Sequence, residues 1–272
     1  MSTAPLTAEE LQPRAGSRLY WAFADAAVLA RRHLVHIPRI PELLVFATVQ
    51  PVMLVILFRY VFGGSIEVPN ASYVNYLMAG IFVQTVAFGG VATGIGLADD
   101  LTKGLIDRFR SLPMSRSAVL TGRTVADLVR NLFVVAIMLV VGILVGFRPD
   151  AGLVDWAGAI GLLLLLSFAF SWIGATVGLL VRTVEAAQSG GFIWLFPLTF
   201  ASSAFVDPAR MSGWLQPFAE NQPFSVIVDA VRALFLDGEI GSDGWVALAW
   251  LVGLLVVFAP LSIRLYEKRT SH

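Results

Sequence analysis

The sequence contains no cysteine, and this absence excludes disulfide bonds, thiolate metal sites and thioether-linked haem. Histidine is scarce: of the three residues, only His33 and His36 lie close together, and no acidic residue stands near them to complete a metal site. Charged residues make up only 14% of the chain and the formal net charge is zero, so a nucleic-acid partner is not indicated. No metal or cofactor is therefore expected on this chain.

Two sequence motifs, one for nucleotide binding and one for serine hydrolysis, are also missing. The phosphate-binding pattern GxxxxGK[ST] does not occur, and neither does the GxSxG pattern of serine hydrolases. The sequence therefore predicts a protein that is not an enzyme, and energy from ATP would have to come from another polypeptide. A membrane-embedded enzyme would need a converging nucleophile, acid or metal site, and none is visible.

Apolar residues dominate what is present. They make up 57% of the chain, and the mean hydropathy is +0.77. Soluble domains are nearer to about 45–50% apolar even with glycine counted. A helix crosses the hydrocarbon with about 20 apolar residues, because its backbone groups must be satisfied without water. The sequence thus predicts an all-α integral membrane protein with six spans, near residues 43–62, 74–98, 128–147, 157–181, 186–206 and 245–265.

The distribution of Lys and Arg predicts the orientation of these spans, because both residues are enriched on the cytosolic side. The spans form one domain over residues 43–265, with tails at 1–42 and 266–272. If the first tail is cytosolic, fourteen of the nineteen Lys and Arg residues are cytosolic too, and so is the second tail. Within the first tail, Ser17–His36 predicts a helix lying flat on the inner membrane surface. A helix facing the cytosol is the alternative.

Residues 99–123, DDLTKGLIDRFRSLPMSRSAVLTGR, form the one long basic segment between two strongly apolar ones. Pro113 ends a run whose apolar residues recur at helical spacing. These residues share one face: Leu101, Leu105, Ile106, Phe109 and Leu112. The pattern predicts a cytosolic amphipathic helix over residues 99–113, between the second and third spans, that docks a cytosolic partner.

The segment 208–238, between the fifth and sixth spans, is too apolar for a simple loop. Pro217 and Pro223 divide it into short predicted helices. Such a segment is expected either to shape an outer gate or to form a surface cap, and the sequence favours neither. The candidate gate residues are Trp214, Phe218, Pro223 and Phe224.

Glycine pairs four residues apart recur in the predicted spans, and close helix packing explains them better than a dimer seam. They are Gly90 and Gly94, Gly142 and Gly146, and Gly174 and Gly178.

Ionisable residues within the spans are few. Asp127 and Arg130 lie about one helical turn apart and are expected to pair, while Gln50 and Gln84 are the main polar groups at depth. No chain of titratable groups crosses the membrane, which disfavours an ion-coupled carrier.

Two stretches of the sequence resemble one transporter family. GLIDRFRSLPMSRSAVLTGR, residues 104–123, is similar to the loop after the second span in permeases of type 2 ATP-binding-cassette (ABC) exporters, above all the daunorubicin-resistance branch. Residues 214–238 are similar to the outer stretch before the last span, with Asn221, Pro223, Arg232 and Leu234 at matching places. Asp99 and Asp100 lie where many relatives outside this branch carry a glutamate.

This resemblance implies a half-transporter. Two permease chains, identical or closely homologous, would sit on two ATPase subunits that bind ATP and Mg, in a bacterial plasma membrane. The implied ATPase-docking residues are Asp100, Lys103, Leu105, Ile106, Arg108, Phe109 and Arg110. Export of a hydrophobic drug-like or lipid-like molecule is the expected function. Export of polysaccharide or lipid-linked glycan, and ion-coupled transport by this chain alone, are the alternatives.

Overall fold

The computed structural model describes residues 28, 41–64, 66, 68, 72–104, 116–236 and 241–270. Over these residues the chain is helical and has no strands. The α-helices are α1 Pro41–Ile56, α2 Tyr73–Thr102, α3 Arg116–Val145, α4 Leu153–Leu180, α5 Val184–Phe200, α6 Gln216–Asn221, α7 Pro223–Leu236 and α8 Ser242–Thr270. A π-helix, Leu57–Phe62, continues α1, and a 3₁₀ turn, Pro208–Arg210, precedes α6.

Four helices, α2, α3, α4 and α8, are long and apolar enough to cross a membrane. The apolar part of α1 with its π extension, Ala47–Phe62, is shorter, and α5 has 17 residues. The prediction of an all-α membrane protein is confirmed, and the six predicted spans are compatible with these helices. The predicted flat helix Ser17–His36 lies outside the described residues except for Val28, which is helical and exposed.

The start of α3 and the end of α5 differ most from the predicted spans. α3 begins at Arg116 and not near residue 128, because its polar residues Thr124 and Asp127 are buried against neighbouring helices. α5 ends at Phe200 and not near residue 206. Gln222 donates hydrogen bonds to the carbonyls of Leu198 (2.8 Å) and Ala201 (2.7 Å), so the end of the helix is satisfied by another segment.

α2 and α4 form the centre of the bundle, and their backbones touch. Gly90 and Gly94 on α2 face Gly174 and Gly178 on α4. A Cβ atom at Gly174 would overlap the Gly90 carbonyl, and one at Gly94 would overlap the Gly174 carbonyl. The packing interpretation of these two pairs is confirmed. The third pair differs: Gly142 lies against Met78, and Gly146 ends α3 with a φ of 109°.

The other helices surround this pair. α1 packs on α2 and α3, α5 packs on α2 and α4, and α8 packs on α4, α7 and α3. Because α2 ends and α3 begins on either side of the connecting segment, we name this end of the bundle the 103–115 side. α1 and α5 end on the opposite side, where α7 also lies.

Candidate functional site

The predicted docking segment begins at the end of α2. That helix runs to Thr102, and Gly104 follows with a φ of 66°, a left-handed conformation that stops an α-helix. A single helix over residues 99–113 is therefore wrong, because residues 99–102 are the last turn of α2. Five of the predicted docking residues lie outside the described residues, and their role stays a prediction: Leu105, Ile106, Arg108, Phe109 and Arg110.

The two remaining docking candidates, Lys103 and Asp100, make different contacts. Lys103 Nζ lies 2.7 Å from the Asp99 carboxylate in an exposed pair, and this hydrogen bond raises the pKa of Lys103. Asp100 instead binds the guanidinium of Arg123 on α3, and both side chains are largely buried. Asp100 is thus engaged within the chain, whereas Lys103 stays at the surface.

Arg123 reaches Asp100 by crossing the backbone of α2 at Gly96. A Cβ atom at Gly96 would overlap the Arg123 guanidinium, so a larger residue there would force the Arg123 side chain to shift. The pair ties the last turn of α2 to α3, on both sides of the connecting segment. The sequence showed Arg123 as part of a family motif, but it gave no sign of this partner.

A layer of buried polar residues joins α2, α3 and α4 deeper in the bundle. Thr93 donates a hydrogen bond of 2.6 Å to the Asp127 carboxylate, and Arg130 lies 3.1 Å from the same carboxylate. Arg130 also donates to the Gly89 carbonyl (3.0 Å), while Asn131 donates to Ser167 on α4 (2.8 Å). The predicted pairing of Asp127 with Arg130 is confirmed. Each charge has a partner, so the layer stabilises the packing of three helices.

On the opposite side, the predicted short helices exist as α6 and α7. The four predicted gate residues differ in their exposure. Trp214 is 82% exposed and Phe218 is half exposed, while Phe224 is buried in the core at the first turn of α7. Pro223 is partly buried and begins α7. Because α7 packs against α2, α4 and α8, it belongs to the bundle, and only the turn before it faces outward.

Arg232 is the residue that fixes α7 in place. Its guanidinium carbon lies 3.6 Å from the centre of the Tyr76 ring, and it binds the Asp229 carboxylate and the Ser203 carbonyl (2.6 Å). Burial raises the pKa of the Asp229 carboxyl, and Arg232 acts against that shift. One side chain thus joins α7, the start of α2 and the turn after α5.

Replacement of Arg232 by Met is expected to destabilise the protein, because it removes the donor to the Tyr76 and Ser203 carbonyls and leaves the partly exposed Asp229 carboxylate with only the Ser203 hydroxyl as a donor. The loss should be about 2–3 kcal/mol. This corresponds to a fall in Tm on the order of 5 °C, measured by thermal unfolding of the purified protein. Arg182→Met, at an exposed site between α4 and α5, is the control. An equal fall in both variants would contradict this role.

The sequence of the chain matches a known protein family over most of its length. The profile of the ABC-2 type transporter family matches residues 25–236, which include all the helices up to α7. The chain belongs to the ABC-2 type transporter family.

Curated relatives agree with this assignment. The chain is 34% identical over 284 residues to the daunorubicin resistance ABC transporter permease protein DrrB1 of Streptomyces coeruleorubidus, with 100% of both chains covered. It is 29% identical to the probable doxorubicin resistance ABC transporter permease protein DrrC of Mycobacterium tuberculosis, covering 83% of this chain and 82% of that one. A putative transport permease, ycf38, of Cyanophora paradoxa is 24% identical over 79% of the chain and 76% of its own.

These findings make the chain a permease subunit of an ABC exporter and a membrane protein. As an ABC-2 permease it works with an ATPase subunit and in a permease dimer, and it is a transport component, not the ATPase. An ion-coupled carrier acting alone is thereby set aside.

Proposed function

We propose that this ABC-2 permease exports a hydrophobic drug-like or lipid-like molecule, driven by ATP and Mg bound to two separate ATPase subunits. Two observations support the cargo class. Two of the relatives reported above bear the names of resistance to daunorubicin and doxorubicin, and the spans bury only two ion pairs among the described residues, Asp100–Arg123 and Asp127–Arg130. The cargo would enter sideways from the inner leaflet and leave between two permease chains, identical or closely homologous.

The observation that carries the mechanism is the tie between Asp100 and Arg123. A force applied to residues 105–115 reaches both flanking helices, because this pair holds α2 and α3 together at the ends of the segment. The layer around Asp127 joins the same helices to α4. Since α2 and α4 are also in backbone contact, a tilt of α2 must move α4 with it. In this proposal α2, α3 and α4 therefore move together when force is applied on the 103–115 side.

In this proposal the 103–115 side and both termini face the cytosol of a bacterial cell. Leu105, Ile106 and Phe109 enter an apolar groove on the ATPase, while Arg108 and Arg110 meet acidic groups at its rim. Lys103 is placed to join this contact because it is exposed. Asp100 contributes through Arg123 and not by touching the ATPase.

The second permease chain is proposed to face α1. The exposed side of this helix carries an apolar groove of about 380 Å³, lined by Val49, Gln50, Met53, Leu54 and Leu57. Gln50 is exposed there, and Pro51 removes the amide that would otherwise bond to the Ala47 carbonyl. Polar groups at this depth are costly in contact with lipid, which favours a protein or passage surface.

The test is the double variant Ile106→Asp and Phe109→Asp, which places two charges on the proposed apolar anchors. We expect the amount of co-purified ATPase to fall by at least tenfold, because a desolvated charge costs more than about 1.4 kcal/mol in an apolar groove. Leu153→Asp is the matched control, since Leu153 is 91% exposed on the opposite side.

ATP-dependent uptake of daunorubicin into inside-out vesicles should fall in parallel with ATPase association. Full association of the ATPase with the double variant would contradict docking at this segment. Absence of ATP-dependent uptake by the unmodified complex, whether the probe is daunorubicin or a fluorescent lipid, would contradict the proposed cargo class.

A further inference from the structure

The outward face of α8 carries an apolar stripe that ends in an arginine, and we name it the α8 stripe. Its exposed residues follow one another at spacings of three and four residues, which place them on one side of the helix: Val246, Trp250, Gly253, Val257, Leu261 and Arg264. Val257 is 58% exposed, and a Cβ atom added at Gly253 would meet nothing within 4 Å. The glycine therefore leaves a gap in the stripe between Trp250 and Val257.

Arg264 has no partner among the residues that the structure describes. It is exposed and takes part in no hydrogen bond or ion pair with them. In the next turn Glu267 and Lys268 cancel in charge, while Arg269 donates a hydrogen bond to the Val181 carbonyl (2.8 Å) at the end of α4. The end of α8 thus has a net positive charge, and the guanidinium of Arg264 is available to bind an anion.

Trp245 and Arg264 lie at the depths of the two membrane surfaces. They are nineteen positions apart, which is about 29 Å along a helix, and the hydrocarbon core is about 30 Å thick. Trp245 is 74% exposed, and exposed tryptophan is typical of the boundary between membrane and water. Arg264 is therefore at the level of the lipid headgroups, in the leaflet on the 103–115 side.

An acyl chain that hangs from a headgroup at Arg264 reaches the gap at Gly253. The two residues are eleven positions apart, which is about 16 Å along the helix, and one leaflet contributes about 15 Å of hydrocarbon. The α8 stripe thus offers a cation to a phosphate and a continuous apolar surface to the chain beneath that phosphate.

The exposed apolar face of α3 lacks this combination. Among the side chains described on α3, both arginines already bind carboxylates: Arg123 binds Asp100, and Arg130 binds Asp127. The face itself is as apolar as the α8 stripe and includes Val129, Phe133, Val140 and Leu144. Both faces suit lipid tails, but only the α8 stripe adds an unpaired cation for an anionic headgroup.

We propose that the α8 stripe binds one anionic phospholipid, with its phosphate at Arg264 and an acyl chain packed over Gly253. In the orientation proposed above, this lipid belongs to the inner leaflet. The inference depends neither on the cargo nor on the docking of the ATPase, so its test can fail separately from theirs.

The test compares phosphatidylglycerol, an anionic lipid, with phosphatidylcholine, whose headgroup has no net charge. The delipidated permease–ATPase complex is titrated with each lipid without nucleotide, and native mass spectrometry gives the Kd of the first lipid bound. In Arg264→Gln the Kd for phosphatidylglycerol should rise about fivefold, which equals about 1 kcal/mol. The Kd for phosphatidylcholine should change less than about twofold, because little net attraction is lost.

Arg182→Gln is the matched control for the charge. It removes the same charge from the exposed connection between α4 and α5, on the same side of the bundle but outside the α8 stripe. Both Kd values should stay within about twofold of those of the unmodified complex, because a screened charge away from the site contributes little.

Gly253→Leu tests the acyl-chain part of the site without changing any charge. Leucine fills the gap, so the Kd for both lipids should rise about fourfold, as expected when one CH₂ group is kept out of contact. Gly161→Leu is the matched control, since a Cβ atom at Gly161 on α4 also meets nothing within 4 Å.

An unchanged Kd for phosphatidylglycerol in Arg264→Gln, or an equal rise in Arg182→Gln, would overturn the proposal. Loss of co-purified ATPase in Arg264→Gln would also overturn it, because Arg264 would then face the ATPase and not a lipid. An equal effect of the two glycine substitutions, or none, would contradict the acyl-chain contact. These measurements involve no transport, so a failure of daunorubicin uptake would count against the proposed function alone.

Discussion

Gly174→Leu is expected to prevent formation of the native helix bundle. The atoms that a side chain at this position would meet are the Gly90 carbonyl oxygen and carbon and the Gly94 nitrogen, all of them backbone. Overpacking a core typically costs about 1–3 kcal/mol when side chains can shift. Here only separation of α2 from α4 makes room, so we expect a loss above about 3 kcal/mol. The measurement is the fraction of folded, monodisperse protein in mild detergent, together with its Tm.

Gly161→Leu is the matched control for this substitution. It lies on the same helix, and a Cβ atom there would have no neighbour within 4 Å. The control should keep the Tm of the unmodified protein within about 2 °C, because leucine is a good helix former on a membrane-facing surface. If Gly174→Leu were as stable as Gly161→Leu, the backbone contact between α2 and α4 would not be what holds the centre of the bundle.

The sequence predicted the helices well where hydrophobicity alone decides them. α4 and α8 are continuous apolar runs, and the need to satisfy the backbone in hydrocarbon makes such runs helical whatever surrounds them. The ends of the helices were predicted less well. Hydropathy counts Thr124 and Asp127 as polar, although both are buried in α3. A polar residue with a partner across the bundle belongs to the helix, and the partner is not visible in a local pattern.

For the functional residues too, the sequence predicted what a local pattern shows and missed the contacts between helices. The amphipathic spacing and the family motif indicated a docking segment that includes Asp100, but they gave no sign that the Asp100 carboxylate binds Arg123. The glycine at position 96, which makes this crossing possible, falls outside the pairs that were recognised by their spacing of four. Likewise Phe58 and Phe205 stack on each other although they are far apart in the sequence. Spacing rules find contacts along one helix and miss those that only the fold creates.

The second large effect is expected at the buried ion pair. Asp127→Ala leaves the Arg130 guanidinium without its carboxylate and removes the shortest hydrogen bond of the Thr93 hydroxyl, in a place where little water can replace the lost partner. Removing one member of a buried pair costs about 3–5 kcal/mol. Glu185→Ala is the control: this exposed acid lies in the first turn of α5, and its loss should cost less than about 1 kcal/mol.

The double variant Asp127→Leu and Arg130→Met tests whether this ion pair only stabilises the fold or also takes part in transport. Replacing both charges by apolar groups of similar size is often neutral or stabilising, so its Tm should recover to near that of the unmodified protein. Because Thr93, Asn131 and Ser167 keep other hydrogen bonds, we also expect ATP-dependent daunorubicin uptake to recover. A stable double variant without uptake would mean that the charges act during transport, and the layer around Asp127 would then be part of the moving mechanism. A double variant as unstable as Asp127→Ala would instead show that the hydrogen bonds from Thr93 and to Gly89, and not the balance of charge, hold the three helices together.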